Sequence, residues 1–157
     1  MNRRIALIIS ILSISSITLA QSASTPNLAK SNQEKAREEV MGSLKQARVF
    51  IDEPKDGATV SHTFKVKMVA EGIKVRPAGE APEEVTSGHH HLIIDAAPIP
   101  AGQPGPADEK HVHFGKGQTE AELTLSPGKH VIILQFADGA HRSFGDRLMH
   151  KIQINVK

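Results

Sequence analysis

Six of the nine histidines in this chain fall in three short segments, which are His89–His91, the pair His111 and His113, and the single His141. Imidazole is the commonest protein ligand for zinc, copper and nickel, and it also titrates near neutral pH. The chain contains no Cys, so a metal site built from thiolates is excluded. The histidine pattern therefore predicts a nitrogen-rich site for a transition metal ion.

The spacing within these segments decides which imidazoles can act together. Side chains two residues apart in a β-strand share a face, so His89 and His91 point the same way, as do His111 and His113. Two such pairs on neighbouring strands, or one pair and a loop histidine such as His141, supply three or four nitrogen ligands for copper or zinc. The predicted ligands are His89, His91, His111 and His113, with His141 as a further candidate.

The remaining histidines are expected to have structural roles. His90 should face away from its two neighbours, as a core histidine bonded to the backbone. Asp95, Asp108 and Glu109 are placed to orient imidazoles from outside the ligand set. Three isolated histidines are expected at the surface or in single hydrogen bonds, and these are His62, His130 and His150.

A metal-free interpretation remains open from the sequence. Long loops precede His89 and His111, and buried imidazoles could anchor them to the strands through backbone hydrogen bonds. The chain would then be an envelope interaction or adhesion domain with a structural histidine network. Chelator distinguishes the two interpretations, because it destabilises only a protein that holds a metal.

Enzymatic motifs are scarce. The sequence has neither a G-x-S-x-G nucleophile turn nor a glycine-rich phosphate loop. A copper redox activity would need an open coordination position and a route for substrate, and the sequence indicates neither. We therefore expect a binding module that stores, delivers or senses a metal, and not an enzyme.

The elements that must position the histidines are strands, because the apolar period changes to two at Arg48. The predicted strands are 48–51, 64–70, 89–95, 111–114, 119–125, 129–137 and 148–156. Parallel sheets need long, usually helical crossovers, and no helical period follows Ala47. Residues 48–157 are thus predicted to form one all-β domain, an immunoglobulin-like antiparallel β-sandwich of six or seven strands.

Two segments without a strand pattern precede this domain. Arg3 and Arg4 precede an apolar stretch that ends in Thr18-Leu19-Ala20, which predicts a signal peptide over residues 1–20. Residues 21–47 form a polar leader, helical or flexible, with a candidate capping box at Ser31 and Glu34. Its apolar stripe is narrow, which favours a partly helical spacer over a helix that packs on the domain or on a second chain.

Charge and cysteine content limit the partners and the compartment. The chain has 19 basic and 17 acidic residues, and removing Arg3 and Arg4 leaves 17 of each. Without a concentrated basic surface, nucleic acid is not expected as a partner. A secreted or periplasmic location is expected, with no membrane span after signal cleavage. The expected partners are a metal ion and an envelope protein.

Several motifs in the chain resemble one family. They are Gly88–Asp95, Ala107–Gly115, Gly117–Thr119, Pro127–His130, Pro54–Gly57 and Pro77–Glu80. Together they resemble the bacterial exported proteins of the domain of unknown function 4399 family, over about Val49 to Lys157. The resemblance implies an exported β-rich domain and no established activity. Members often carry a further histidine pair in the last loop, where this chain has His141 and then Phe144.

Overall fold

The structure is a computed structural model that describes residues 26–157. The predicted signal peptide, residues 1–20, lies outside the described residues, as does the start of the leader. The leader forms a helix, α1 (Pro26–Gln46). It begins before the predicted cap at Ser31, and proline is favoured at a first helical position because its ring presets the backbone angle. No helix within residues 26–157 is both long and apolar enough to cross a membrane.

Within the described residues, the domain that follows forms nine strands. They are β1 (Arg48–Glu53), β2 (Thr59–Val60), β3 (Thr63–Glu71), β4 (Lys74–Val75), β5 (Ser87–Ile94), β6 (His111–His113), β7 (Glu120–Thr124), β8 (Gly128–Ala137) and β9 (Met149–Val156). A short 3₁₀ helix, Gly145–Leu148, precedes β9. The seven longer strands match the predicted segments, whereas β2 and β4 contain two residues each and were not predicted.

These strands form two sheets. The smaller sheet has the order β1-β3-β7, and the larger has the order β2-β9-β8-β5-β4, with β6 also paired to β5. All pairings are antiparallel except β2 with β9 and β4 with β5. The order corresponds to strands A, B and E of an immunoglobulin domain facing strands C, F and G. The predicted immunoglobulin-like β-sandwich is therefore confirmed.

Alternating side chains of both sheets form the main core. Val66 and Met68 from the smaller sheet belong to the same buried cluster as Leu92, Leu134 and Ile152 from the larger one. A second, smaller cluster lies on the outer face of the larger sheet, where Ile93 and Ile133 are covered by Ile99 from the loop after β5. Strand β5 is buried along its whole length, which agrees with the expectation of a strand covered on both faces that the apolar run Leu92–Ile94 gives.

The close approach of β5 to β8 depends on Gly88. A Cβ added there would overlap the carbonyl oxygen of Ala137, so only glycine fits at this point of the ladder. Since Gly88 directly precedes His89, the first histidine segment lies at a position where the two backbones are held tightly together.

The end of α1 contacts the domain. Leu44 packs against the main core, and the Ser43 hydroxyl donates a hydrogen bond to the carbonyl of Gly72 (3.4 Å). Met41, one turn earlier, is 57% exposed. The last turn of the leader is thus attached to the β-sandwich, in addition to serving as a spacer.

Candidate metal centre

Strands β5 and β6 bring three of the predicted histidines to one face. Leu92 points into the main core, so His89 and His91 point to the outer face of the larger sheet. Antiparallel pairing of β5 with β6 sets His113 directly opposite His91. This register could not be read from the sequence, and it decides which histidine of β6 reaches the site.

The fourth imidazole comes from the loop after β8. His89, His113 and His141 each offer a ring nitrogen, and these three nitrogens lie within 4.8 Å of one another. We call these residues the histidine trio. The ring centroids are 4.9 Å apart for His89 and His113, 5.0 Å for His89 and His141, and 5.1 Å for His113 and His141.

His91 adjoins the trio without joining it. Its Nε2 lies 3.1 Å from Nε2 of His89, and its ring centroid lies 4.9 Å from that of His113. Nδ1 of His89 is buried and has no hydrogen-bond partner among residues 26–157. The four imidazoles therefore form two triangles that share His89 and His113, with His91 at one outer corner and His141 at the other.

Asp138 builds the loop that presents His141. Its buried carboxylate accepts hydrogen bonds from the amides of Ala140 (2.9 Å) and Arg142 (2.8 Å) and from Nε of Arg142 (2.7 Å). His141 adopts φ 65°, and its amide donates to the carbonyl of Asp138 (3.0 Å). A left-handed conformation costs a non-glycine residue about 1–3 kcal/mol, so the surrounding hydrogen bonds must hold it.

A second loop joins the segments that carry His113 and His141. The amide of Ala78 donates to the carbonyl of Gly115 (2.9 Å), and the amide of Gly79 donates to the carbonyl of Gly139 (2.9 Å). The ring of His113 lies over Gly115, where an added Cβ would overlap it. The trio is thus held by strands on one side and by hydrogen-bonded loops on the other.

Comparison with known families identifies the chain. The model of one family, Domain of unknown function (DUF4399), matches residues 66–157, which is more than half of the chain. The protein belongs to the DUF4399 family. The resemblance inferred from the histidine motifs is confirmed, and the match includes every histidine of the site.

Two solved structures are similar to the DUF4399 protein in fold. An endo-beta-1,4-mannanase from Thermotoga petrophila is 14% identical with a TM-score of 0.44, over 85% of this chain and 24% of that one. The chain thus spans about a quarter of the mannanase. Fibronectin(III)-like modules of Clostridium thermocellum CbhA are 15% identical with a TM-score of 0.38, over 71% of this chain and 96% of that one. None of the curated proteins compared with the chain matches it.

The environment keeps three imidazoles of the DUF4399 site neutral, and they are those of His89, His91 and His113. Burial, and then the neighbouring charges of His113 and His141, lower the pKa of His89 to about 4. Burial, followed by the charge of His89, lowers the pKa of His91 to about 3. Burial and the charge of His141 also lower the pKa of His113. Neutral imidazole is the form that binds a metal, so at pH 7 few protons have to be displaced.

His111, a predicted ligand, lies apart from the trio. It pairs with Ile93 across the β5–β6 ladder, beyond the position of His91. Its Nδ1 is hydrogen-bonded to Oδ1 of Asp108 (2.7 Å). His113 lies opposite His91, whereas His111 lies opposite a residue further along β5, on the side away from His89. Asp108 orients an imidazole, as predicted, but that imidazole is His111.

His90 differs from its prediction. It points into the main core, is fully buried, and lies edge-to-face with Phe136 at 5.0 Å between ring centroids. Neither of its ring nitrogens has a hydrogen-bond partner within the described part of the chain. The predicted backbone hydrogen bond is therefore wrong, because the neighbouring β8 backbone is already used in the ladder and the facing side chains are apolar.

The isolated histidines have the structural contacts that were expected. His130 is hydrogen-bonded to Asp95 (2.6 Å) and to the carbonyl of Ser126 (2.8 Å), and these contacts raise its pKa. Nδ1 of His150 accepts a hydrogen bond from the amide of Ile51 (3.2 Å). His62 is exposed. Asp95, predicted to orient an imidazole of the site, orients His130 instead.

Proposed function

We propose that this DUF4399 protein is an exported module that binds one transition metal ion, copper or zinc, through the histidine trio. The ion is stored, delivered or sensed, and the protein is a binding module and not an enzyme. Export follows from the signal peptide predicted over residues 1–20, and it places the domain in the periplasm or outside the cell.

The observation that carries this proposal is the convergence of three imidazole nitrogens within 4.8 Å of one another. An ion at the centre of an equilateral triangle with that edge lies about 2.8 Å from each nitrogen, whereas a zinc–nitrogen bond measures about 2.0–2.1 Å. Inward movements of about 0.7 Å per ring are enough to close the difference. Small side-chain rotations supply such movements without refolding the strands.

The donor set favours copper or zinc over other ions. Imidazole nitrogens suit Zn²⁺ and Cu²⁺, whereas Mg²⁺ and Ca²⁺ prefer oxygen ligands. With no Cys in the sequence, a thiolate cannot complete the site. The lowered pKa values of His89 and His113 add to this preference, because their lone pairs are available at pH 7 before the metal arrives.

A purely structural histidine network fits the hydrogen bonds less well. Such a network should bind the imidazoles to backbone groups of the loops, as His130 binds Ser126. Within residues 26–157, His89 has one hydrogen-bond partner, another imidazole, and its Nδ1 is buried without any. A buried polar atom without a partner costs about 1–3 kcal/mol, and coordination to a metal removes that cost.

Elemental analysis tests the proposal directly. The mature protein should be purified from the periplasm without a polyhistidine tag, and we expect copper or zinc near one equivalent per chain. A His113→Ala/His141→Ala variant should contain none, whereas the surface variant His62→Ala should match the wild type. Absence of metal after purification, together with no uptake of Cu(II) or Zn(II) tighter than about 1 µM on titration, would refute the proposal.

Substitution of Gly115 offers a finer test of the same site. The added methyl group of Gly115→Ala overlaps the ring of His113, so this ring must move from its present position beside His89 and His141. We expect the affinity for Zn(II) to fall about tenfold, as when a group that orients a ligand is lost. Calorimetric titration measures the change. Gly42→Ala is the control, because a Cβ at Gly42 has no atom within 4 Å, and equal affinities of the two variants would contradict the expectation.

A further inference from the structure

The two ring nitrogens of His89 are in different situations. Nε2 lies 3.1 Å from Nε2 of His91, a hydrogen-bond distance, whereas Nδ1 is buried without a partner in residues 26–157. A neutral imidazole carries its proton on one nitrogen and a lone pair on the other. The structure therefore allows two arrangements of the pair, depending on which histidine donates.

Only one arrangement avoids placing a proton without an acceptor on the fully buried Nδ1 of His89. If Nε2 of His89 carries the proton, it donates to Nε2 of His91, and the unpartnered Nδ1 is a bare lone pair. If His91 donates instead, the proton of His89 lies on Nδ1 and has no acceptor. An N–H left buried and unbonded costs its full desolvation penalty, so the first arrangement is favoured.

Coordination distinguishes the two arrangements further. Two nitrogens bound to the same ion also lie about 3 Å apart, so the contact between His89 and His91 could arise from shared ligation. That alternative leaves Nδ1–H of His89 buried and unpaired. Ligation through Nδ1 instead satisfies both nitrogens, and it agrees with a trio that contains His89, His113 and His141 but not His91. Metal-bound histidines regularly donate their second N–H to such a partner.

We infer that His91 is a positioning residue that accepts the Nε2 proton of His89, that His89 binds the ion through Nδ1, and that the fourth coordination position is open. This inference rests on the proposed function. The open position lies on the side of His113, whose side chain is exposed. It suits water or a small monodentate anion, which is the arrangement of zinc and copper sites that exchange a ligand.

The hydrogen bond can be tested without any metal. A long-range proton–nitrogen correlation spectrum of the isotope-labelled, metal-free protein reports which nitrogen of each imidazole carries the proton. We expect His89 to carry it on Nε2, both in the wild type and in His91→Gln, whose side-chain oxygen can also accept. A proton on Nδ1 of His89 in the wild type would overturn the inference.

Cu(II) titration with pulsed EPR tests the ligand set. We expect three imidazoles on the copper in the wild type, in His91→Gln and in His91→Leu. His91→Leu should lose about 10- to 100-fold in affinity, as is usual when a ligand loses its hydrogen-bond partner, and His91→Gln should recover most of that loss. His62→Gln is the control for replacing a histidine. Azide should bind the copper protein with a new absorption band.

The outcomes separate this inference from the proposed function. A fall from four imidazoles to three in His91→Gln would make His91 a ligand and overturn the inference while keeping the metal site. Failure of azide to bind would exclude an open position. If the wild type binds no Cu(II), the proposed function fails and the assignment of ligands falls with it, whereas the proton–nitrogen spectrum still decides the hydrogen bond between His91 and His89.

Discussion

His141→Ala is expected to weaken binding of Cu(II) or Zn(II) by more than about 100-fold, whereas His111→Ala should change it by less than about threefold. Loss of a group that only orients a ligand costs about 10- to 100-fold, and loss of a ligand itself should cost more. His141 belongs to the trio, but Nδ1 of His111 is bonded to Asp108 (2.7 Å) away from it. Competition titration with a chromophoric chelator measures both affinities.

The two variants control for each other, because each removes one histidine from a segment near the site and they differ in whether that histidine belongs to the trio. Circular dichroism melting curves of the metal-free proteins provide the control for folding. Equal and large losses in both variants would place His111 on the ion together with His141 and would contradict the expectation for His111. Equal affinities of His141→Ala and the wild type would remove His141 from the ligand set.

His90→Leu is expected to leave the unfolding free energy at pH 7 unchanged or higher, although it replaces a fully buried side chain. Both ring nitrogens of His90 are unpaired within the described residues, so leucine removes a desolvation cost without breaking a hydrogen bond. Replacing unsatisfied polar groups by apolar ones of similar shape is neutral or stabilising. Urea denaturation of the metal-free proteins measures the difference.

In acid, the unfolding free energies of His90→Leu and of the wild type should differ. Burial, and then the charge of His89, lower the pKa of His90 from 6.5 to about 4. Between these values the unfolded chain binds the proton and the folded protein does not, so the wild type loses stability as the pH falls below 6.5. The loss is complete near pH 4 and amounts to about 3 kcal/mol, since one pKa unit corresponds to about 1.4 kcal/mol.

The difference between the two proteins isolates His90, because the buried histidines of the metal site destabilise both proteins in acid. We expect the unfolding free energy of His90→Leu at pH 4 to exceed that of the wild type by about 3 kcal/mol, because only the wild type has a buried histidine at position 90 whose protonation favours unfolding. A constant difference from pH 7 to pH 4 would show that His90 titrates normally. A loss of several kcal/mol at pH 7 would mean that His90 has a partner in solution.

The strands of this protein were largely predictable from its sequence. Alternation in Phe64–Ala70 and Leu148–Val156 fixed both the strand and its buried face, since the period of two is local information. The two-residue strands β2 and β4 lack such a period, because their pairing depends on where distant segments pass. The start of α1 at Pro26 was missed because the capping pattern at Ser31 is only one of several ways to begin a helix.

The sequence predicted which histidines are candidates for the site, but it did not predict which of them lie close enough together to share an ion. The spacing correctly placed His89 with His91 and His111 with His113 on common faces. It could not give the register of β6 against β5, which sets His113, and not His111, beside the first pair. The position of His141 depends on the hydrogen bonds of Asp138 and on a left-handed backbone, and neither follows from the spacing of the histidines.

The decline in burial across the trio, from His89 at 0% exposed through the half-buried His141 to the exposed His113, has a kinetic consequence. Exposed side chains change rotamer in picoseconds to nanoseconds, whereas a buried one waits for the protein around it to open. An ion in this site would detach first from His113 and last from His89. Another protein's ligands could thus replace those bonds one at a time, starting with the bond to the exposed His113. The bond to the buried His89 would then set how long the ion stays in the site.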